Sequence, residues 1–273
     1  MNICLNRATA GGPMPLEQFV DLAAAAGFPG ADVDLGYATL KSPAALRDLY
    51  ASKHLAFGGW GPPDFRNEEK KLTDALPLFK THAKIAADLG IDSCATWIMP
   101  SSDRPFVENF QFHTARLKPV AQVLAEFGLR IGLEFVAPWH LRRKFKHEFI
   151  FTPGLMLELC DAVGPNAGLL VDSFHCHCAG VPIEEITSWP KEKIVLCHFN
   201  DAPKRPLYQV EDGARLLPGA GAIDLPAFFA AVEKTGYTGP ISLEVMSPDL
   251  RAMPPEQAAK LAADACRKTG LMK

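Results

Sequence analysis

The sequence lacks any long apolar run and any strong excess of one charge. No stretch of about 20 apolar residues could span a bilayer, and the first residues, MNICLNR, are not a basic segment leading into a long apolar one. Lysine and arginine number 28 and aspartate and glutamate 31, so the net charge is −3. This mild balance gives no reason to expect a nucleic acid or a membrane surface as partner. We expect neither a signal peptide nor a membrane span.

Cysteines at the spacing of a disulfide framework are also missing. The seven cysteines are an odd number, and Cys4, Cys94, Cys160 and Cys197 lie in apolar runs. They are typical of reduced, buried thiols, which favours a cytoplasmic protein. The GAG at Gly219–Gly221 is no dinucleotide-binding fingerprint, because it lacks the preceding strand and the full GxGxxG spacing.

No linker or composition break divides the chain, so we predict one domain over residues 1–273. At 273 residues and 48% hydrophobic the chain has the size of an eight-unit α/β barrel, which takes about 250 residues. Strand-like runs alternate with helix-like runs, which predicts a single-domain (β/α)8 TIM barrel. The predicted strands are Asn2–Arg7, Ala31–Leu35, Leu55–Trp60, Asp92–Met99, Arg130–Val136, Gly168–Val171, Ile194–Leu196 and Ile241–Leu243. The predicted helices are Pro15–Ala25, Pro43–Lys53, Glu68–Leu89, Asn109–Phe127, Pro153–Val163, Ile183–Trp189, Pro226–Lys234 and Pro255–Lys268.

Four of these strands lead directly into an acid or a histidine. The four residues are Glu134, Asp172, His198 and Glu244, at intervals of 38, 26 and 46 residues. Each interval is long enough for one crossover helix and its loops. Because the carboxyl ends of barrel strands meet at one rim, we expect the four side chains to gather at one point.

Two glutamates, one aspartate and one histidine form a mostly oxygen donor set. Such a set suits one divalent ion of the Mn²⁺, Mg²⁺ or Co²⁺ type, with Zn²⁺ also possible. The ion would act as a Lewis acid on a substrate oxygen, and Glu134 and Glu244 could move a proton on carbon. The pattern therefore predicts proton transfer beside a carbonyl through a metal-stabilised enediolate.

Structural explanations of the same residues remain open. A single glutamate at a strand end is more often exposed or ion-paired, but a closed barrel has no structural use for four such groups at one rim. His175 either joins the site or satisfies a backbone carbonyl. The HCHC run could hold zinc, but alternation along a strand would put Cys176 and Cys178 opposite the histidines, which favours packing.

Aromatic and basic residues give further candidates for substrate binding. Trp60, Trp97 and Trp139 each follow or end an apolar run, and either pack in the core or stack on a sugar. The basic segment after Glu134, which carries His140 and Arg142, is a solvated face, an anion-binding loop or a subunit contact. The 24-residue loop from Asp201 to Asp224 is long enough to cover an active site, and it carries Arg215.

The segments GLEFVAP, LLVDSFH, VLCHFNDAP and RLLPGAGAIDLPAF, taken in order, resemble the xylose-isomerase-like TIM barrel superfamily, in particular its sugar phosphate isomerase/epimerase members. The resemblance covers essentially the whole chain. It implies that Glu134, Asp172, His198 and Glu244 bind one divalent metal, and that the two glutamates double as the acid/base pair. It also implies that His175 and Arg215 hydrogen-bond substrate oxygens.

Departures from two branches of that superfamily narrow the expectation. The DNA-repair endonucleases of this fold use three zinc ions and extra histidines on earlier strands, where this chain offers Leu35, Trp60 and Trp97. Ketose 3-epimerases have a glutamate six positions after the strand-five ligand, where this chain has His140. We therefore expect neither a trinuclear phosphodiesterase nor a standard free-ketose epimerase.

The sequence thus predicts a metal-dependent isomerase or epimerase of a keto-sugar or polyol in carbohydrate metabolism. A lyase on the same scaffold, of the inosose dehydratase or 3-keto-glycoside-eliminating kind, is the first alternative. A sugar-binding barrel without catalysis is the second. The expected partner is a small sugar or polyol, with a homo-oligomer possible.

Overall fold

Eight parallel strands form the centre of the fold in the computed structural model, which describes residues 1–66 and 68–272. In these ranges the strands are β1 (Asn2–Leu5), β2 (Gly30–Ala31), β3 (Ala56–Phe57), β4 (Ser93–Ile98), β5 (Ser101–Ser102), β6 (Arg130–Phe135), β7 (His147–Glu148), β8 (Ala167–Asp172), β9 (Ile194–Phe199) and β10 (Pro240–Leu243). All except β5 and β7 belong to the central sheet, in the order β3-β2-β1-β10-β9-β8-β6-β4.

The two end strands of this sheet meet, which closes it into a barrel. Trp60, just after β3, forms a parallel bridge with Cys94 of β4. Its backbone N–H donates to the Ser93 carbonyl at 3.1 Å, and its carbonyl accepts from the Ala95 N–H at 2.9 Å. The prediction of a (β/α)8 TIM barrel is confirmed.

Helices cover the outside of the barrel. In the described part of the chain they are α1 (Leu16–Ala26), α2 (Leu35–Leu40), α3 (Pro43–Ser52), α4 (Glu69–Leu89), α5 (Phe106–Ala125), α6 (Trp139–Arg142), α7 (Pro153–Val163), α8 (Ser173–Ala179), α9 (Ile183–Ile186), α10 (Leu225–Lys234), α11 (Pro248–Arg251) and α12 (Pro255–Lys268). Every residue of β8 and β9 is buried, because parallel strands in a barrel are covered on both faces. None of the described helices combines the length and apolarity that a transmembrane span requires.

Most predicted strand ends are displaced by one to three residues, and two differences change the residues near the carboxyl ends of the strands. The second strand ends at Ala31 rather than Leu35, because the Asp34 carboxylate caps the N-terminus of α2 by accepting from the Gly36 N–H at 2.9 Å. The residue at the end of β2 is therefore Asp32. The HCHC run is helical, not extended, since Asp172 caps α8 by accepting from the Phe174 N–H at 2.7 Å.

The short strands β5 and β7 form a separate antiparallel ribbon. Ser101 pairs with Glu148 and Ser102 with His147, and the Phe149 N–H donates to the Pro100 carbonyl at 2.7 Å. The ribbon joins the loop after β4 to the loop after β6, above the carboxyl ends of those strands. It therefore fixes the basic, aromatic segment next to the site.

The backbone of β8 lies close to that of Lys193 at Gly168, which leads to a test of the fold. A Cβ there would lie 2.5 Å from the carbonyl oxygen of Lys193. Gly168→Ala should lower the free energy of unfolding by roughly 1–3 kcal/mol, because the backbone must shift. Urea denaturation measures the loss. Gly154→Ala is the matched control, since a Cβ at this helical position meets nothing within 4 Å, and equal losses in both variants would contradict the prediction.

Candidate metal centre

The four residues predicted from the strand ends lie together at the carboxyl end of the barrel. One ligand-type atom from each lies within 4.8 Å of every other, in the set Glu134, Asp172, His198 and Glu244. The β8–β9 register puts Asp172 directly beside His198. The fold therefore brings together residues that are up to 110 positions apart in the chain.

Two atoms of this cluster are buried without a hydrogen-bond partner. They are Glu134 Oε1 and His198 Nδ1, which lie 4.0 Å apart. His198 Nδ1 lies 3.5 Å from Glu244 Oε2. A buried polar atom without a partner is costly, so both atoms are available to a ligand between them.

Asp172 is fully buried and has several partners. Its Oδ1 accepts from the Phe174 N–H at 2.7 Å, as the cap of α8. The Asn200 side-chain amide donates to both carboxylate oxygens at 3.2 and 3.3 Å, and Arg215 Nη1 donates to Oδ2 at 3.0 Å. These bonds fix the orientation of the carboxylate, as the outer contacts of metal ligands do.

Arg215 supplies the main positive charge among these acids. Its guanidinium is 1% exposed and lies 2.7 Å from Glu244 Oε2 and 2.8 Å from Asp212 Oδ1. Nη2 also lies 3.1 Å from His175 Nε2. Because a guanidinium only donates, His175 Nε2 is the acceptor, and burial together with Arg215 lowers the pKa of this histidine.

The two glutamates have opposite electrostatic environments. Burial, followed by the charges of Glu244 and Asp172, raises the pKa of Glu134 well above its ordinary value. Burial also disfavours ionised Glu244, but His198 and Arg215 outweigh it and lower the pKa of that carboxyl. Burial works against a charged His198, yet Glu244 and Glu134 raise its pKa to about 10.

These donors fit a single divalent ion. Donors that bind one ion at about 2.0–2.6 Å lie at most about 4–5 Å apart, and the four atoms here are within 4.8 Å of each other. Two of the four residues, Glu134 and His198, also carry the unpartnered atoms Oε1 and Nδ1. Three carboxylates and one imidazole are the donors of a hard or borderline cation.

The long loop that carries Arg215 is fixed by Asp201. This buried carboxylate accepts from the N–H groups of Gly219, Gly221 and Ile223 at 3.1, 2.8 and 2.9 Å. The backbone of Asp201 also pairs with Leu216 in both directions. A Cβ at Gly221 would lie 2.1 Å from the Ala202 carbonyl, so the GAG permits close backbone approach.

The two tryptophans predicted to contact the substrate both line cavities beside the cluster. Trp97 is 42% exposed and lines the cavity of about 300 Å³ above the cluster, together with His175, Arg215 and both glutamates. Trp60 is buried with its Nε1 unpartnered, in a neighbouring cavity that His198 also lines.

His140 and Arg142 line neither of these two cavities. His140 is exposed. Arg142 Nη2 lies 2.7 Å from Glu148 Oε2, and the guanidinium stacks on Phe151 at 3.5 Å from the ring centroid. The basic segment is therefore partly held by its own ion pair.

Asp32 is a site residue that the sequence did not reveal. It accepts from Asn6 Nδ2 at 2.8 Å, from the Gly59 N–H at 3.0 Å and from Ser242 Oγ at 2.6 Å, and it lines the cavity with His198 and Glu244. Burial raises its pKa to about 6. Asp32 directly follows the apolar pair Gly30–Ala31, as a residue at a strand end would. The predicted strand ran on to Leu35, so Asp32 was placed inside the strand and not at its end.

The sequence of this chain is similar to a family of barrel enzymes. A family model described as xylose isomerase-like TIM barrel matches residues 20–269. An inosose isomerase of Bacillus velezensis is 26% identical over 97% of this chain and 95% of its own. A 3-dehydroshikimate dehydratase of Pseudomonas putida is 28% identical over 89% of this chain but only 38% of its own length.

One solved structure supports the same family, and a second shares the fold. A xylose isomerase domain protein from Alicyclobacillus acidocaldarius superposes with a TM-score of 0.88 and 30% identity, covering 98% of both chains. An IolI protein with a bound zinc atom superposes with a TM-score of 0.77 and 23% identity, again over 98% of both chains. The resemblance drawn from the motifs is confirmed.

Loading the centre with a divalent ion should release protons. The pKa of metal-free His198 is raised to about 10, so this imidazole is protonated near neutral pH. Burial and the neighbouring acids also raise the pKa of Glu134, whereas the ligating forms of both residues are deprotonated. Affinity for Mn²⁺ should therefore rise with pH. Calorimetric titration of chelator-stripped protein in buffers of different ionisation enthalpy measures the release.

The control for this titration is His54→Asn, which changes an exposed histidine whose φ of 56° asparagine tolerates. It should release the same number of protons. A binding heat that is identical in all buffers would contradict the prediction.

Asp201→Ala should loosen the Arg215 loop without unfolding the barrel. The carboxylate accepts four backbone N–H bonds, and in the variant the loop N–H groups lose this acceptor and bond to water as the loop opens. Limited proteolysis between residues 203 and 222 should become faster. Asp224→Ala removes only the exposed cap of α10 and serves as control, and equal cleavage of both variants would count against this role of Asp201.

Proposed function

Because this chain belongs to the xylose isomerase-like TIM barrel family, we propose that it is a metal-dependent enzyme that isomerises or epimerises a keto-sugar or keto-polyol. The proposal depends mainly on one observation. Two glutamates from different strands, Glu134 and Glu244, lie with one aspartate and one histidine within 4.8 Å at the carboxyl end of the barrel. That is where enzymes of this architecture have their active sites.

The two glutamates are proposed as the acid/base pair. One carboxylate removes a proton from the carbon beside the substrate carbonyl, and the other returns a proton to a neighbouring position. Glu134 belongs to β6 and Glu244 to the turn after β10, and both line the cavity. Arg215 Nη1 donates to Glu244 Oε2 at 2.7 Å, whereas Glu134 Oε1 has no partner.

Glu134, Asp172, His198 and Glu244 are proposed to hold one divalent ion, which would polarise the substrate oxygens as a Lewis acid. The oxygen-rich donor set favours Mn²⁺, Mg²⁺ or Co²⁺. Zn²⁺ remains an alternative, since the IolI structure was solved with zinc.

His175, Arg215, Trp60 and Trp97 are proposed to bind the substrate. His175 and Arg215 line the cavity, and Trp97 presents a partly exposed ring suited to the C–H face of a cyclic polyol. An inosose is the first substrate to test, since the Bacillus relative is named for it. The substrate contacts of His140 and Arg142 stay predictions.

A lyase is the second candidate, because the Pseudomonas relative is named a dehydratase. The same base would remove the proton, and a hydroxyl group would then leave instead of a proton returning to carbon. A sugar-binding barrel without turnover is the remaining alternative. That the chain is one domain over 1–273, that it is cytoplasmic and that it forms a homo-oligomer stay predictions.

Turnover in deuterated water separates the two enzyme candidates. An isomerase or epimerase incorporates deuterium at the reacting carbon and leaves the product with the mass of the substrate apart from the label. A dehydratase yields a product lighter by one water. Mass spectrometry and proton NMR on scyllo-inosose and 3-dehydroshikimate as substrates give the answer, and loss of water from every substrate that turns over would overturn the isomerase.

Glu134→Gln and Glu244→Gln should each lower kcat by about 10²–10⁴, the usual contribution of a general acid or base. The rates are compared at equal bound metal, determined by elemental analysis, because both residues are also proposed ligands. Glu158→Gln on the exposed face of α7 is the control and should keep full activity. Unchanged turnover in both site variants would refute the acid/base assignment.

A further inference from the structure

A second cavity adjoins the candidate metal centre on the side of β4. Its volume is about 540 Å³, against about 300 Å³ for the inner cavity, and both are lined by Trp97 and Met99. The outer cavity lies between the β5 segment and the start of α5. A ligand that extends from the inner cavity past Trp97 would enter it.

The lining of the outer cavity carries a net positive charge. Arg66 and Arg104 both line it, while Asp103 is its one lining carboxylate. Arg66 Nη1 lies 3.4 Å from Asp64, but Arg104 forms no ion pair with any residue in the described ranges. Burial and then the charges of both arginines lower the pKa of His113 to about 3. Both positive charges therefore act on a residue that lines this cavity.

Buried polar groups in this cavity lack partners. His113 is 6% exposed and its Nδ1 has no hydrogen-bond partner. Asn109 is 3% exposed, and its carboxamide makes no hydrogen bond to the described part of the chain. Arg66 Nε is likewise buried and unpartnered. Buried unpartnered atoms such as His113 Nδ1 and Arg66 Nε are costly unless a partner completes them. Both residues line the same cavity as Asn109.

Aromatic rings hold both guanidinium groups by their faces. Arg66 stacks on Trp97 at 4.0 Å and on Phe65 at 4.3 Å from the ring centroids. Arg104 lies 4.1 Å from the Phe112 centroid. Arg66 already donates from Nη2 to Thr96 Oγ1 and to the Trp97 carbonyl, and from Nη1 to Asp64. Stacking on Phe112 occupies a planar face of Arg104 and leaves its N–H edge for bonds in the plane, the geometry in which arginine binds carboxylate and phosphate.

We propose that this outer cavity binds an anionic group, a carboxylate or a phosphate, carried by the substrate whose keto-polyol part lies at the metal centre. Arg104 supplies the unpaired charge, and Asn109 and His113 complete the hydrogen bonds. The proposal deepens the proposed function, because it makes the natural substrate an acid or a phosphate ester rather than a neutral sugar.

The test compares the affinities of three unreactive cyclic polyols for the Mn²⁺-loaded protein. They are myo-inositol, which is neutral, myo-inositol 1-phosphate and shikimate, which carries a carboxylate. None has the ketone that the proposed reaction needs, so isothermal titration calorimetry measures binding alone. We expect at least one anionic ligand to bind about tenfold or more tightly than myo-inositol, as a charge-assisted hydrogen bond provides. The tighter of the two identifies the anion.

Arg104→Gln should remove this preference. The affinity for myo-inositol should stay within about twofold, because Arg104 is exposed and a neutral polyol offers no charge for it to pair with. Arg104 is exposed, so the variant should fold. Arg143→Gln is the matched control, because Arg143 is also exposed, stacks on Trp139 at 5.4 Å and does not line the cavity. It should keep the full preference.

Three results would overturn the proposal: equal affinity of all three ligands for the wild-type protein, a preference that survives in Arg104→Gln, or an equal loss in Arg143→Gln. A different set of results would refute the proposed function and not the anion site. In that case the anion preference depends on Arg104, but Glu134→Gln and Glu244→Gln leave turnover unchanged.

Discussion

The site depends on one buried guanidinium among carboxylates. Asp172, Asp212 and Glu244 all lie within 3.0 Å of Arg215 nitrogen atoms, and Arg215 is 1% exposed. Acids packed this closely repel one another and take up protons unless a cation compensates them. Removing one partner of such a buried pair typically costs about 3–5 kcal/mol, so Arg215 stabilises the arrangement that leaves Glu134 and His198 with unpartnered atoms.

Arg215 is held in this position by its loop, and the loop in turn is fixed by the carboxylate of Asp201. The long loop has little regular structure, yet its backbone N–H groups converge on one carboxylate that directly follows β9. The residues of the candidate metal centre and the loop that covers it are thus joined through strand β9, which carries His198 and is followed by Asp201 three residues later. The order of the loop therefore determines the charge balance of the site, because the loop positions Arg215.

The strand-end pattern was sufficient to predict the barrel and the four residues around the centre. It worked because Glu134, Asp172 and His198 each interrupt an otherwise apolar strand, and parallel strands end at one rim. It failed where local capping overrode the pattern. Asp34 starts a helix that shortens β2 and brings Asp32 into the site, and Asp172 starts α8 where an extended HCHC segment was expected. The outer cavity was also beyond prediction, since Arg66, Arg104 and His113 meet only through tertiary packing.

The antiparallel ribbon of β5 and β7 has a consequence for how this protein could diverge. It pairs only with itself among the described strands and lies outside the barrel. Substitutions along Ser101–Ser102 and His147–Glu148 can therefore remodel the entrance while the strands that carry the reactive groups remain unchanged. The shape of the entrance can therefore change through this ribbon without a substitution in the central sheet.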